Sequence, residues 1–387
     1  MKIGNPRLLW ENKLVLYQVS VESARGQGTL WYSLDESFGD LVSNFCDAAL
    51  AALLIPAMQQ GEDIRIEGAV SEKLLHNLRR PYQRLLQRII PTLRQVKIDA
   101  KEISTDQTIR RKGVAIGFSG GIDSYCALAD HYDSTVTDGF KITHLLFNNV
   151  GSHGKGGERL FRERHARLVP VAESLGLPFI MINSNLDEFY QGNIGYERTH
   201  TPRNASVALL LQGGIGRYMY ASAYNYRHVF VGPASSTAYS DTIALPLLST
   251  ETLDAFSVGS EYTRVEKTLR VSEVPESYRS LDVCVNRHNT SGYINCSTCR
   301  KCLRTLATLD IAGSIEPYSG VFDLEAYRRR RILYFAKLLA DRSALPREIV
   351  EFARQRNFSW PISSRLMRPF FSVSNLTGRA LKKLKQK

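Results

Sequence analysis

From Val114 onward the chain repeats one pattern, in which a short apolar run is followed by a stretch with helical spacing and then by another apolar run. The runs are VAIGF, ITHLLFNNV, PFIMINS and HVFVGPAS. Between them lie stretches such as RLFRERHARLVPVAESLG and ASVALLLQGGIGRYMYASAY, read here as helices. Parallel strands need a long crossover, so this alternation predicts an α/β fold with a parallel sheet and helices on both faces. Ligands of such sheets bind beyond the carboxyl ends of the strands.

Residues 1–105 read as an α/β domain of their own, with no motif that carries chemistry. KLVLYQVSVES, GTLWYSLDES, DIRIEGAV and RQVKIDA have the β-branched and aromatic character of strands. DLVSNFCDAALAALLIPAM and SEKLLHNLRRPYQRLLQRII have helical spacing, with Ser71 as a candidate N-cap. The polar stretch STDQTIRRKG then reads as a linker.

A chain of 387 residues has room for two or three domains. Its longest candidate membrane segment, Ala48 to Met58, is too short to span a bilayer. The opening MKIGNPRLLWENK lacks an apolar signal core, so a cytoplasmic location and no membrane contact are expected. The net charge of +12 is uneven. Arg328 to Lys387 holds 16 Lys and Arg against 3 Asp and Glu, whereas the remainder holds 34 against 35. Residues 313–387 therefore read as a basic helical region. It is either a surface for nucleic acid or an acidic partner, or a solvated helical face with a tail.

Ser119, Gly120, Gly121, Asp123 and Ser124 stand where the strand VAIGF hands over to a helix. Two glycines let the backbone fold tightly and approach a ligand, and the free N–H groups of the loop and helix start then converge on an anion. Ser119 and Ser124 can add hydroxyl donors. Asp123 would repel a bare phosphate, so it acts through Mg²⁺ or caps the helix. The Gly-Lys-Ser/Thr ending of a Walker A loop is absent.

Cys46 and Cys126 stand alone in apolar surroundings and read as core thiols. Cys284, Cys296, Cys299 and Cys302 form C-x₁₁-C-x₂-C-x₂-C. Four thiolates satisfy a tetrahedral Zn²⁺ with no open position, so a structural zinc is expected; an iron–sulfur cluster uses the same ligands. His288 is a spare candidate ligand.

The string S-G-G-x-D-S after a buried strand resembles the PP-loop of the ATP pyrophosphatases, which cleave ATP between its α and β phosphates. A PP-loop followed by this cysteine pattern is similar to the 7-cyano-7-deazaguanine synthases, over residues 113 to about 310. That resemblance implies a catalytic domain at 113–312, with ATP on Ser119, Gly120, Gly121, Asp123 and Ser124, and zinc on the four cysteines at 284–302. Pro202, Arg203 and Asn204 are similar to the family's Pro-x-Arg-Asn segment, without its spacer residue. TRVEK, Thr263 to Lys267, is similar to its T-K-x-E stretch, with Arg264 keeping the positive charge. The implied catalytic residues are Asp123, Ser124, Arg203, Asn204 and Arg264, with Arg203 neutralising a carboxylate or the developing phosphate charge. The implied reaction joins a carboxylate, such as 7-carboxy-7-deazaguanine, to ammonia or an amine, giving an amide or a nitrile. Synthase-like chains with extra regions also suggest a protein as substrate or partner, as in phage defence. The family's Tyr-Pro-Asp-Cys segment is replaced here, with Tyr239, Ser240 and Asp241 only loosely similar. A tRNA-modifying enzyme of the thiolation type and a non-catalytic nucleotide-binding scaffold are the alternatives.

Overall fold

The computed structural model describes residues 1–105, 111–154, 156–192, 194–284 and 292–371. They divide into two compact units, one of residues 1–119 and 130–261, the other of residues 120–129 and 262–387. The unit boundaries fall at positions other than 105 and 312. Half of the expected linker (residues 106–110) and the end of the tail, along with His288, lie outside the described residues.

The first unit contains an α/β arrangement built on one mostly parallel sheet of eleven strands. The strands are β1 (Lys2–Ile3), β2 (Arg7–Glu11), β3 (Leu14–Ser23), β4 (Gly26–Asp35), β5 (Ile64–Ser71), β6 (Ile98–Ser104), β7 (Gly113–Gly117), β8 (His144–Asn148), β9 (Phe179–Ser184), β10 (Ile215–Ala221) and β11 (Asp254–Val258). Their order is β11-β10-β7-β8-β9-β4-β3-β1-β5-β6, with β2 on the side of β3. A short antiparallel pairing, Tyr32 with Ser184 and Ser33 with Asn183, joins the strands of residues 1–105 to the later ones. One sheet and one apolar core thus run through both halves of this unit.

The parallel part, β9-β8-β7-β10-β11, reverses its winding between β7 and β10. In open α/β sheets ligands settle at this reversal, beyond the strand carboxyl ends. The Ser-Gly-Gly-Asp loop begins directly after β7.

The helix Asp47–Gln60 is buried from Asp47 to Met58 and ends at Gly61, whose φ of +69° few other residues adopt. Its first residue is a fully buried carboxylate. Asp47 accepts from Ser71 N at 2.8 Å, Ser71 Oγ at 2.5 Å and Gln212 Nε2 at 2.7 Å. Ser71 stands at the expected N-cap position of the next helix, yet its hydroxyl serves Asp47 instead of capping.

The structure corrects the reading of three segments. SEKLLHNLRRPYQRLLQRII forms two helices, Glu72–Arg79 and Pro81–Ile89, because Pro81 cannot continue the first and suits the start of the second. The stretch from Ala205 to Tyr224 is helical only to Leu210; Gly213 and Gly214 follow, and Ile215–Ala221 become strand β10. HVFVGPAS is not a strand, and its Phe230 and Val231 are exposed. Strands β1, β2 and β11 were not anticipated.

Among its described residues the second unit has helices and an isolated bridge, Asn295 with Phe322. Its helices include Ile122–Ala129 of the longer helix Ile122–His131, then Arg264–Ser272, Arg300–Ala312, Leu324–Ala340 and Ala344–Gln355. Val265, Ala307, Ile311, Phe335, Leu338, Ile349 and Phe352 form its apolar cluster. No helix among the described residues is long and apolar enough to cross a membrane.

Candidate functional site

Three residues after β7 the backbone turns at Gly120, whose φ of +72° lies in the left-handed region where a side chain is unfavourable. Its carbonyl accepts from Asp282 N at 2.8 Å. The carbonyl of Gly121 accepts from Tyr125 N at 3.0 Å and from the Ser124 hydroxyl at 3.1 Å, which starts the helix Ile122–His131. Ser124 is buried, while Ser119 is exposed.

Asp123 is the second residue of that helix, and two cations hold it. Arg264 binds it through both guanidinium ends, Nη1 to Oδ1 at 3.0 Å and Nη2 to Oδ2 at 3.1 Å. Lys267 Nζ lies 3.1 Å from Oδ1. Burial would raise the Asp123 pKa, but the charges and hydrogen bonds of Arg264 and Lys267 outweigh it and hold the carboxyl below its ordinary range.

The sequence TRVEK accounts for this geometry. Thr263 caps the helix by accepting from Glu266 N at 3.2 Å, and Glu266 returns the favour by accepting from Thr263 N at 2.7 Å. The cap fixes the helix start, and the three-residue spacing of Arg264 and Lys267 puts both on one face. Glu348, from the helix Ala344–Gln355, accepts the backbone N–H of Arg264 at 2.9 Å. Arg304, on the helix Arg300–Ala312, also feels this cluster. Burial, with Arg264 next, pushes its pKa down to about 10, against the opposing pull of Asp123.

Cys284, Cys296, Cys299 and Cys302 converge, with all four sulfurs within 4.8 Å of one another. Cys299 and Cys302 sulfurs are 3.4 Å apart, and those of Cys296 and Cys302 are 3.9 Å apart. A tetrahedral metal with bonds of about 2.3 Å spaces its sulfurs at roughly 3.8 Å, so the set fits a metal ion such as zinc. Cys296 N donates to Cys284 Sγ at 3.4 Å and Cys299 N to Cys296 Sγ at 3.3 Å, contacts that favour thiolates. Ser297 supplies the tight turn with φ of +58°. The hydrogen bond with Cys299, then burial and the neighbouring sulfurs, push the Cys302 thiol up. Cys46 and Cys126 are buried, as expected of core thiols.

Arg203 and Asn204 belong to the first unit. Arg203 is 2 % exposed, so it is neither on the helix surface nor open to solvent. Its Nη1 donates to Val150 O at 3.0 Å and Asp187 Oδ1 at 2.7 Å, and its guanidinium lies 3.5 Å from the Tyr190 ring centre. Asn204 donates to His200 O at 2.9 Å and to Tyr196 OH at 3.2 Å.

Close to them in sequence runs a buried polar network that no motif announced. Thr201 Oγ1 donates to Asp241 Oδ1 at 2.6 Å and lies 2.7 Å from Thr237 Oγ1. His200 Nδ1 lies 2.9 Å from Tyr220 OH. Burial raises the Asp241 pKa to about 7; burial, followed by the charge of Arg203, lowers that of His200 to about 4. Asp241 Oδ2, Tyr82 OH and Tyr218 OH are sealed from solvent without a hydrogen-bond partner among the described residues.

The basic C-terminal region is partly self-neutralised. Arg328 pairs with Glu316 and Glu325, and Arg331 pairs with Asp310, while Arg329 and Arg330 are exposed.

No family model, no curated protein and no solved structure matches this chain. The fold and the site therefore rest on the chain's own residues. Within the second unit, Asp123 and Arg264 come together from the expected set, and so do the four cysteines. Lys267 was not singled out, although its spacing from Arg264 behind a Thr-x-x-Glu capping box was a readable signal.

Proposed function

We propose that this chain is an ATP-dependent carbon–nitrogen ligase of the PP-loop type. The observation that supports this reading is Asp123 clamped by Arg264 and Lys267, just after a two-glycine turn. Two cations poised at a helix start favour a phosphate chain and stabilise a pyrophosphate leaving group. Where Mg²⁺ accompanies ATP, Asp123 is the carboxylate suited to hold it.

In this reading a substrate carboxylate oxygen attacks the α-phosphorus. The bond from that phosphorus to the bridging oxygen breaks, and pyrophosphate leaves with the electron pair. Ammonia or an amine then attacks the acyl carbon, AMP leaves, and the nitrogen sheds a proton to give the amide. Repeating the activation on the amide oxygen, with loss of AMP and protons, gives the nitrile. The substrate proposed is 7-carboxy-7-deazaguanine or a relative, and the nitrogen donor is ammonia or an amine, one on a protein included. The four-cysteine centre, proposed to hold Zn²⁺, has no open position and takes no part in the chemistry.

Thiolation of tRNA is the weaker alternative, because it needs a reactive thiol near the loop and Cys126 is 1 % exposed. The test is mass spectrometry of products after incubation with Mg-ATP, ammonium and 7-carboxy-7-deazaguanine. AMP with the amide or nitrile supports the ligase; intact ATP with this and other carboxylate and amine pairs counts against it.

A further inference from the structure

We propose that the helix of residues 362–371 is a membrane-contact element, which lays an apolar row into the surface of an anionic lipid bilayer. The proposal is independent of the ligase reading, and it departs from the expectation that the chain touches no membrane. The contact is peripheral, since no described helix is long and apolar enough to cross.

Ile362, Leu366 and Phe370 are 75, 71 and 76 % exposed, and no other large apolar side chain among the described residues exceeds 62 %. Their spacing of four residues turns each about 40° from the last, so the three form one row along the helix. The helix is held from its opposite side. Ser364 is fully buried, and its hydroxyl donates at 3.1 Å to the carbonyl of Ile332, on the helix Leu324–Ala340. Lys337 of that same helix lies 5.4 Å from the ring centre of Phe371. Met367 and Phe371, on the side of Ser364, are half-buried. The row is thereby fixed facing outward.

Charge selects the occupant. Arg365 and Arg368 are exposed beside the row, and residues 352–387 hold nine Lys and Arg with no Asp or Glu. Exposed apolar side chains next to cations of one sign suit negative headgroups above an apolar interior. A nucleic acid backbone would meet the arginines and leave the apolar row in water. A protein groove that encloses a basic helix needs more than the single strip left open here. Residues 372–387 add five Lys and Arg and no Asp or Glu, so like-charge repulsion disfavours them as a cover for this helix.

The test is co-sedimentation of the full chain with two kinds of vesicle at physiological salt. One is phosphatidylcholine alone, and the other contains about 30 % phosphatidylglycerol. Wild type is compared with Leu366→Gln/Phe370→Gln, which keeps the charge, and with Arg365→Gln/Arg368→Gln, which keeps the row. All four side chains are exposed, so stability in urea should be unchanged. The proposal expects binding to the anionic vesicles only, weakened about ten-fold or more by either double substitution. The emission of Phe370→Trp, over that of wild type, should shift to the blue on anionic vesicles and be quenched by brominated lipid. Binding untouched by Leu366→Gln/Phe370→Gln, with no quenching in Phe370→Trp, means adsorption by charge alone and overturns the proposal. Absence of binding to either vesicle overturns it too, and a dimer dissolved by Leu366→Gln/Phe370→Gln would then assign the row to a second copy of the chain.

Discussion

Arg264 grips Asp123 with both ends of its guanidinium, at 3.0 and 3.1 Å, across 141 positions of sequence. With Lys267 at 3.1 Å, one carboxylate serves two cations, and Lys267 is only 2 % exposed. Removing the carboxylate leaves the cations facing each other.

Asp123→Asn should therefore destabilise the protein by about 1–3 kcal/mol, less than the cost of breaking a fully buried pair because Asp123 retains solvent contact. Adding Lys267→Met should recover part of the loss in urea unfolding. Folding holds the Asp123 carboxyl below its ordinary range. Its contribution is thus complete above pH about 4 and is lost as the pH falls through the folded value, so Asp123→Asn should show a shallower acid dependence.

Asp241 and His200 should give opposite pH slopes. Asp241 titrates near 7 in the fold, so its contribution is present below about pH 4 and lost as the pH rises towards 7. His200 titrates near 4, so its contribution is present above about pH 6.5 and lost as the pH falls towards 4. The two largely cancel between those limits. Asp241→Asn should expose stability that rises with pH over this range, and His200→Gln stability that falls; parallel profiles for the two variants would contradict the assignment.

Elemental analysis should find one zinc per chain, and the protein should lack the visible absorbance of an iron–sulfur cluster. Strong chelation should lower the thermal midpoint and loosen the helix Arg300–Ala312 first, as read by amide exchange, because Cys299 and Cys302 lie at its start. A midpoint indifferent to chelation would argue against a metal on these cysteines.

Gly151 has φ of +107°, and a side-chain carbon there would lie 2.2 Å from Arg203 Nη1 and 2.6 Å from Asp187 Oδ1. Gly151→Ala should cost about 3 kcal/mol, from backbone strain together with a disturbed, half-buried ion pair. In a background of Arg203→Met the same change should cost less, and a double-mutant cycle reads the difference.

The parallel strands from Gly113 to Ser184 were legible because short β-branched runs between helical stretches leave few alternatives. The strand Ile215–Ala221 was not, because an apolar run with tyrosines directly after a helix shows the same local pattern until Gly213 and Gly214 are read as its end. The cysteine centre could be read from spacing alone, since its tight turns are local. The clamp on Asp123 was only half legible: Arg264 was singled out by the resemblance of TRVEK to a family stretch, but its partner lies 141 positions away and only the folded helices bring the two together. Arg203 shows the converse, since a motif says nothing of burial and its guanidinium is already committed to Asp187. Asp241 acquires its raised pKa from burial, which no local pattern encodes.

In the proposed reaction ATP activates a carboxylate by forming an acyl adenylate. The most direct measurement uses 7-carboxy-7-deazaguanine labelled with ¹⁸O in its carboxylate, with Mg-ATP and ammonium, and follows the label by mass spectrometry. The account predicts one ¹⁸O in the AMP released and unlabelled pyrophosphate, with neither formed by Asp123→Asn. Label in inorganic phosphate with ADP as the other product, or AMP formed without label, would contradict it.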